Sequence, residues 1–184
     1  MKKLILSVAF SLFILSVTAQ DKIDPQKKSP EMNTKQNINR FQLSIGLDEG
    51  IPVGELSKYS SFVMGASIQG EYAVLKELGL TLSANYLYFL GKNGRTGLSF
   101  VPVLAGAKFY LSRKIYISGQ LGAAMYIGQD SEDDTYLSYA QGIGFQASNR
   151  IDLLAKYEGI NIGGSRTYSF AGLRIAYNLF KRKK

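Results

Sequence analysis

The chain has 184 residues, a formal net charge of +8 and no Cys, His or Trp. One domain with a substantial core is expected at this length. The missing Cys excludes disulfides, thiolate nucleophiles and cysteine metal sites, and the missing His excludes most general-base catalysis near neutral pH and imidazole metal sites.

The positive charge lies at the two ends of the sequence. Residues 41–180 hold 11 basic and 11 acidic side chains, whereas residues 181–184 are all basic and residues 1–40 carry the remaining excess. Nucleic-acid binding requires basic side chains clustered on the folded surface. The charge distribution therefore argues against a nucleic-acid partner.

The first 19 residues are typical of a secretory signal peptide. Lys2 and Lys3 precede an apolar run over residues 4–17, which ends in small residues before Gln20. The run is shorter than the roughly 20 residues that a membrane-spanning helix needs. We therefore predict cleavage after Ala19, followed by a flexible periplasmic leader over residues 20–39, which is polar and has no apolar period.

From residue 40 onward, apolar side chains recur at every second position, which is typical of β-strands with two different faces. In the first segment Phe41, Leu43, Ile45 and Leu47 alternate with polar or small residues. Pro102 lacks a backbone donor and predicts a local irregularity in the fourth strand. The eight predicted strands cover residues 41–48, 62–72, 79–88, 101–110, 115–127, 137–147, 151–158 and 171–179.

The connections alternate between short and long. Tight turns are predicted at residues 74–77, 111–114 and 148–150, and longer polar loops at residues 50–61, 90–97, 128–134 and 161–167. Long strands, an even strand number and turns on one rim with loops on the other are features of membrane barrels. The predicted fold is all-β, an eight-stranded antiparallel up-and-down transmembrane β-barrel over residues 40–180 with both termini on the periplasmic side.

Alternation alone leaves open which face is inside. A soluble periplasmic lipocalin-like barrel carrying an apolar ligand would turn the apolar face inwards. A membrane barrel would turn it to lipid, with aromatic girdles at both rims. The polar face is mostly small and uncharged, and its charges have both signs, which favours a crowded lumen in which each ion has a partner. We predict an interior structural charge network of Glu71, Lys108, Asp152, Lys156, Glu158 and Arg174.

Residues 100–110 (FVPVLAGAKFY) and 152–159 (DLLAKYEG) resemble recurrent segments of the small eight-stranded outer-membrane barrels of the outer membrane protein A transmembrane domain and X types. The resemblance covers nearly all of the chain after the leader. It implies residence in the bacterial outer membrane, contact with outer-membrane lipids and lipopolysaccharide, and assembly by the barrel assembly machinery. The four basic residues that follow Phe180 depart from the family, whose last strand usually ends the chain.

The sequence offers no catalytic, cofactor-binding or metal-binding residues, so we predict a non-enzymatic protein with a structural or surface-interaction role and four short extracellular loops. Residues 129–134 contain four acidic side chains and are either a cation site or a solvated loop. Lys92, Arg95 and Arg166 in other loops are either contacts for anionic lipid headgroups or solvated side chains.

Overall fold

The computed structural model describes residues 40–128, 135–164 and 166–180. The predicted signal peptide, leader, acidic segment 129–134 and basic tail lie outside these residues. No helix of the described residues has the length and hydrophobicity to cross a membrane. The strands are β1 Phe41–Val53, β2 Ser60–Ala73, β3 Leu78–Gly91, β4 Leu98–Tyr110, β5 Ile115–Ile127, β6 Thr135–Gln146, β7 Ile151–Asn161 and β8 Thr167–Asn178.

The strands form one closed antiparallel barrel in sequence order, because β8 pairs with β1. A row of directly paired residues starts at Phe41, crosses β2 to β8 in turn and returns to β1 at Ile51. This stagger corresponds to a strand tilt of roughly 40–45° from the barrel axis. At that tilt a twelve-residue strand rises roughly 28 Å, which matches the hydrocarbon thickness of a bilayer.

The apolar face of every strand points away from the barrel axis. Leu47, Leu82 and Ile143 are 70%, 62% and 63% exposed, whereas the charged groups on the opposite faces are buried. The predicted outward orientation of the apolar face is therefore confirmed. The lipocalin-like alternative required these side chains to point inwards, and that orientation is wrong.

The first strand and loop differ from the prediction. β1 continues to Val53 and β2 begins at Ser60, so the first loop is shorter than the predicted segment 50–61 and contains a 3-10 helix, Gly54–Lys58. The longer β1 places Glu49 on the outward face, where it pairs with Met64 and Leu173. The outward face is thus not free of charge, although Glu49 lies toward the loop rim, where headgroups are near.

Pro102 interrupts pairing without changing the strand register. Pairing between β3 and β4 runs to Ala84↔Val103 and resumes at Leu87↔Phe100 with the same offset. On its other side Pro102 pairs with Ala124 of β5. The predicted irregularity is therefore a local gap in one ladder, as expected for a residue that lacks a donor.

Candidate functional site

The lumen is filled by side chains in layers of different chemistry. The half nearer the tight turns holds ion pairs and hydrogen bonds, and the half nearer the loops is apolar. The strand alternation places these groups inside, since each position faces the lumen or the exterior in turn. An eight-stranded barrel is just wide enough for such side chains to fill it.

Lys108 lies between two carboxylates near the tight turns; we call Glu71, Lys108 and Asp152 the turn-side charge cluster. The Lys108 Nζ atom lies 3.3 Å from Glu71 Oε2 and 3.8 Å from Asp152 Oδ2. All three side chains are almost completely buried. Opposite charges in a dry interior attract strongly, and this attraction offsets part of the cost of removing them from water.

Two tyrosines hold these carboxylates in place. The Tyr110 hydroxyl donates to Glu71 Oε1 over 2.7 Å, and the Tyr116 hydroxyl donates to Asp152 Oδ1 over 2.6 Å. Lys108 Nζ also lies 4.5 Å from the centre of the Tyr116 ring, within cation–π range. The ring fits because residue 144 is Gly: a Cβ there would lie 1.9 Å from the Tyr116 ring.

Lys156 occupies an equivalent position in a second cluster; we call Asp48, Lys156 and Glu158 the central charge cluster. The Lys156 Nζ atom lies 2.6 Å from Asp48 Oδ1 and 2.8 Å from Glu158 Oε2. Glu158 is completely buried and Asp48 is 2% exposed. The Lys156 ammonium group thus lies between two buried carboxylates, one on β1 and one on β7.

Arg174 lies apart from both clusters. Its Nε atom donates to the Ser67 hydroxyl over 2.8 Å, and one terminal nitrogen donates to the Ser44 hydroxyl over 3.1 Å. Among the described residues it makes no ion pair with a carboxylate. The guanidinium therefore ties β8 to β1 and β2 through neutral acceptors.

The structure places all six residues of the predicted network inside the barrel, divided among two clusters and Arg174. Asp48 was not predicted as a member, although it follows Gln42, Ser44 and Gly46 on the polar face of β1. Its position on that face could have indicated that Asp48 points into the lumen. The sequence could not indicate its partner, because Lys156 lies on β7, a strand that does not pair with β1.

Apolar side chains close the loop end of the lumen; we call the following set the outer plug. Phe89 packs edge-to-face against Phe100 and Phe170, with ring centres 5.7 Å and 6.0 Å apart. Leu56 of the 3-10 helix turns inwards on top of them and is completely buried. The outer plug comprises Leu56, Val63, Leu87, Phe89, Phe100, Ala124, Ile160 and Phe170.

The outer plug was not predicted. Residues 86–90 (YLYFL) are apolar on both faces of β3, so alternation no longer separates a lumen-facing side chain from a lipid-facing one. In the structure, Tyr86 and Tyr88 point outwards and Phe89 points into the lumen. No group of three or more acidic side chains that could hold a metal ion occurs in the described part of the chain.

The combination of a closed barrel, an outward apolar face and a packed ionic lumen can be compared with solved structures. The crystal structure of Ail, the attachment invasion locus protein of Yersinia pestis, aligns with a TM-score of 0.55 at 17% identity, covering 75% of this chain and 96% of Ail. The N-terminal β-barrel domain of Pseudomonas aeruginosa OprF aligns with a TM-score of 0.53 at 17% identity, covering 75% and 97%. The fold is that of the small outer-membrane β-barrels.

Neisserial surface protein A shares this fold, with a TM-score of 0.51 at 14% identity over 76% of this chain and 97% of that protein. No protein-family model and no curated protein matches the sequence. The similarity to the small outer-membrane barrels predicted from the sequence is thus confirmed at the level of the fold.

Proposed function

We propose that the chain is an integral outer-membrane protein whose barrel is a closed, rigid support for its loops. The observation that carries this proposal is the inverted polarity of the barrel: large apolar side chains surround the exterior, and the ion pairs are inside. A continuous exposed apolar surface is unfavourable in water and favourable in hydrocarbon. We therefore propose outer-membrane lipids and lipopolysaccharide as the partners of this surface.

The lengths of the connections at the two rims support one orientation of the barrel in the membrane. The connections at residues 74–77 and 111–114 are tight, and the opposite rim carries the 3-10 helix and the longer connections. Outer-membrane barrels have short periplasmic turns and longer extracellular loops. We therefore place both termini in the periplasm, where the barrel assembly machinery would receive the unfolded chain after removal of residues 1–19.

A structural or surface-interaction role is favoured over a channel or an enzyme. Two charge clusters and the outer plug fill the lumen in layers, which leaves the loops as the surface available to other molecules. The carboxylates of Asp152 and Glu158 form ion pairs with Lys108 and Lys156, respectively. The sequence has no His for general-base catalysis.

Membrane fractionation tests the location of the protein. After alkaline extraction of cell envelopes, the protein is expected to remain in the membrane pellet and to float with the outer-membrane fraction. An unheated sample is expected to migrate faster in gel electrophoresis than a boiled one, because the closed barrel resists detergent. Release into the alkaline supernatant would contradict the proposal and favour a soluble protein.

Conductance measurements test whether the lumen is closed. Purified barrel added to a planar lipid bilayer is expected to produce no stepwise conductance, because the side chains of the two charge clusters and the outer plug occupy the lumen. A general porin serves as the positive control. Reproducible single-channel steps from the purified barrel would show that the lumen opens and would contradict the rigid-support proposal.

A further inference from the structure

The first and second loops are hydrogen-bonded to each other at one rim of the barrel. The backbone N–H of Lys92 donates to the Tyr59 carbonyl over 2.8 Å, and its ammonium group donates to the Ser57 carbonyl over 2.9 Å. Lys92 thus links the two loops through both its backbone and its side chain. These two hydrogen bonds of Lys92 hold the first loop, residues 54–59, against the second loop, residues 92–97.

A tight turn fixes the direction of the second loop. Asn93 and Gly94 both have positive φ angles, 54° and 74°, and the Arg95 N–H donates to the Lys92 carbonyl over 3.1 Å. Consecutive positive φ angles are the geometry of a type I′ turn, for which Asn-Gly is the preferred sequence. The turn brings the Arg95 guanidinium over the Tyr59 ring, with 5.3 Å between the guanidinium carbon and the ring centre.

A pocket of about 540 Å³ lies at this rim, between the first, second and fourth loops. We call it the outer-mouth pocket. Arg95 and Arg166 line it together with the aromatic side chains of Tyr59 and Tyr168, and its lining also includes Leu56 and Phe89 of the outer plug, which are buried. The pocket therefore joins two tyrosine rings to two guanidinium groups from different loops.

Among the described residues, no ion pair engages the two arginines of the outer-mouth pocket. Glu55 also lines the pocket, but neither Arg95 nor Arg166 makes an ion pair with a carboxylate in the portion of the chain that the structure describes. Guanidinium groups bind phosphate and sulfate through paired N–H donors. Aromatic side chains beside such donors provide an apolar surface against which a sugar ring can pack.

We propose that the outer-mouth pocket binds a phosphate- or sulfate-bearing saccharide, with the anionic groups on Arg95 and Arg166 and the sugar ring against the Tyr59 and Tyr168 side chains. The proposal rests on the proposed function, since it needs this rim to face the cell exterior. The volume of the pocket is within the usual range for small-ligand sites and accommodates a ligand of the size of a sugar bisphosphate. Such a group occurs both on soluble saccharides and on lipopolysaccharide.

Calorimetric titration of the purified barrel in zwitterionic detergent tests the site, with glucose 1,6-bisphosphate as the probe and glucose as the uncharged control. Saturable binding is expected for the bisphosphate and none for glucose. Arg95→Gln and Arg166→Gln are each expected to weaken binding roughly tenfold, because each removes a charge-assisted contact. Raising the salt concentration is expected to weaken binding as well.

Arg150→Gln is the matched control. Arg150 also lies over a tyrosine ring, that of Tyr177, with 5.7 Å between the guanidinium carbon and the ring centre, but it belongs to the opposite, tight-turn rim. Equal weakening by Arg150→Gln, undiminished binding by the Arg95→Gln/Arg166→Gln double variant, or equal binding of glucose would overturn the proposal. The heat-dependent gel shift establishes that each variant is folded.

A competition arm separates the two sources of the ligand. Displacement of the bisphosphate by purified lipopolysaccharide, but not by its dephosphorylated form, would assign the site to phosphates of the surrounding lipid. Binding without such displacement would assign it to a soluble saccharide. A protein that fractionates with the outer membrane yet shows no bisphosphate binding would disprove the site and leave the proposed function standing.

Discussion

Lys156→Met is expected to lower the free energy of unfolding of the barrel by about 3–5 kcal/mol. Lys156 is the ammonium group that separates Asp48 from Glu158, and all three side chains are buried. Its removal leaves two carboxylates close together in the lumen without a counter-ion, which is a severe cost where water is scarce. Urea titration in lipid vesicles, followed by tyrosine fluorescence, measures the change.

The triple variant Asp48→Asn/Lys156→Met/Glu158→Gln distinguishes two causes of the lost stability. One is the loss of the ion pairs, and the other is the burial of two carboxylates without a counter-ion. The triple variant removes the whole central charge cluster and leaves only neutral groups, so it is expected to recover most of the stability lost in the single variant. Lys108→Met provides the parallel test on the turn-side charge cluster. If Lys156→Met unfolds at the wild-type urea concentration, the central charge cluster has no stabilising role.

Leu121→Arg is expected to lower the free energy of unfolding in lipid vesicles by about 2–4 kcal/mol. Leu121 is the middle residue of β5 and points outwards, where it is 57% exposed. At the middle of the bilayer a guanidinium group loses its hydration, whereas on a soluble protein an exposed position tolerates the same change. The prediction therefore tests whether the exterior faces hydrocarbon.

Leu111→Arg is the matched control for this variant. Leu111 is 60% exposed, but it lies in the tight turn between β4 and β5, beyond the apolar belt. The same substitution there is expected to change stability by no more than about 0.5 kcal/mol. Equal and small effects at both positions would indicate that water, not lipid, covers the middle of the barrel.

Most of the architecture was predictable because a bilayer imposes a simple chemical rule on each strand. Every second residue between the rims must be apolar, so the strands and the faces of Leu47, Lys108 and Asp152 can be read locally. The rule weakens where both faces are apolar, as in residues 86–90, and it does not fix strand ends. This is why the outer plug and the outward position of Glu49 were not anticipated.

The partners within the candidate site depend on closure of the barrel. Arg174 reaches Ser67 and Ser44, which are 107 and 130 residues away in the chain. Local alternation places each of these groups in the lumen but carries no information on which of them meet. The stagger of the closed barrel determines that, because it sets the height at which each strand presents its inward side chains.

The amino-acid sequence by itself determined the strand number, the orientation of the faces and the inward position of the six predicted network residues. The strand number follows from alternating hydrophobicity, and the orientation follows from the composition of the polar face, which is mostly small and uncharged and carries charges of both signs. Only the tertiary structure decided that Lys156 lies between Asp48 and Glu158, and that Arg95 and Arg166 line one pocket. Those contacts join distant strands and loops, and their geometry exists only once the barrel has closed.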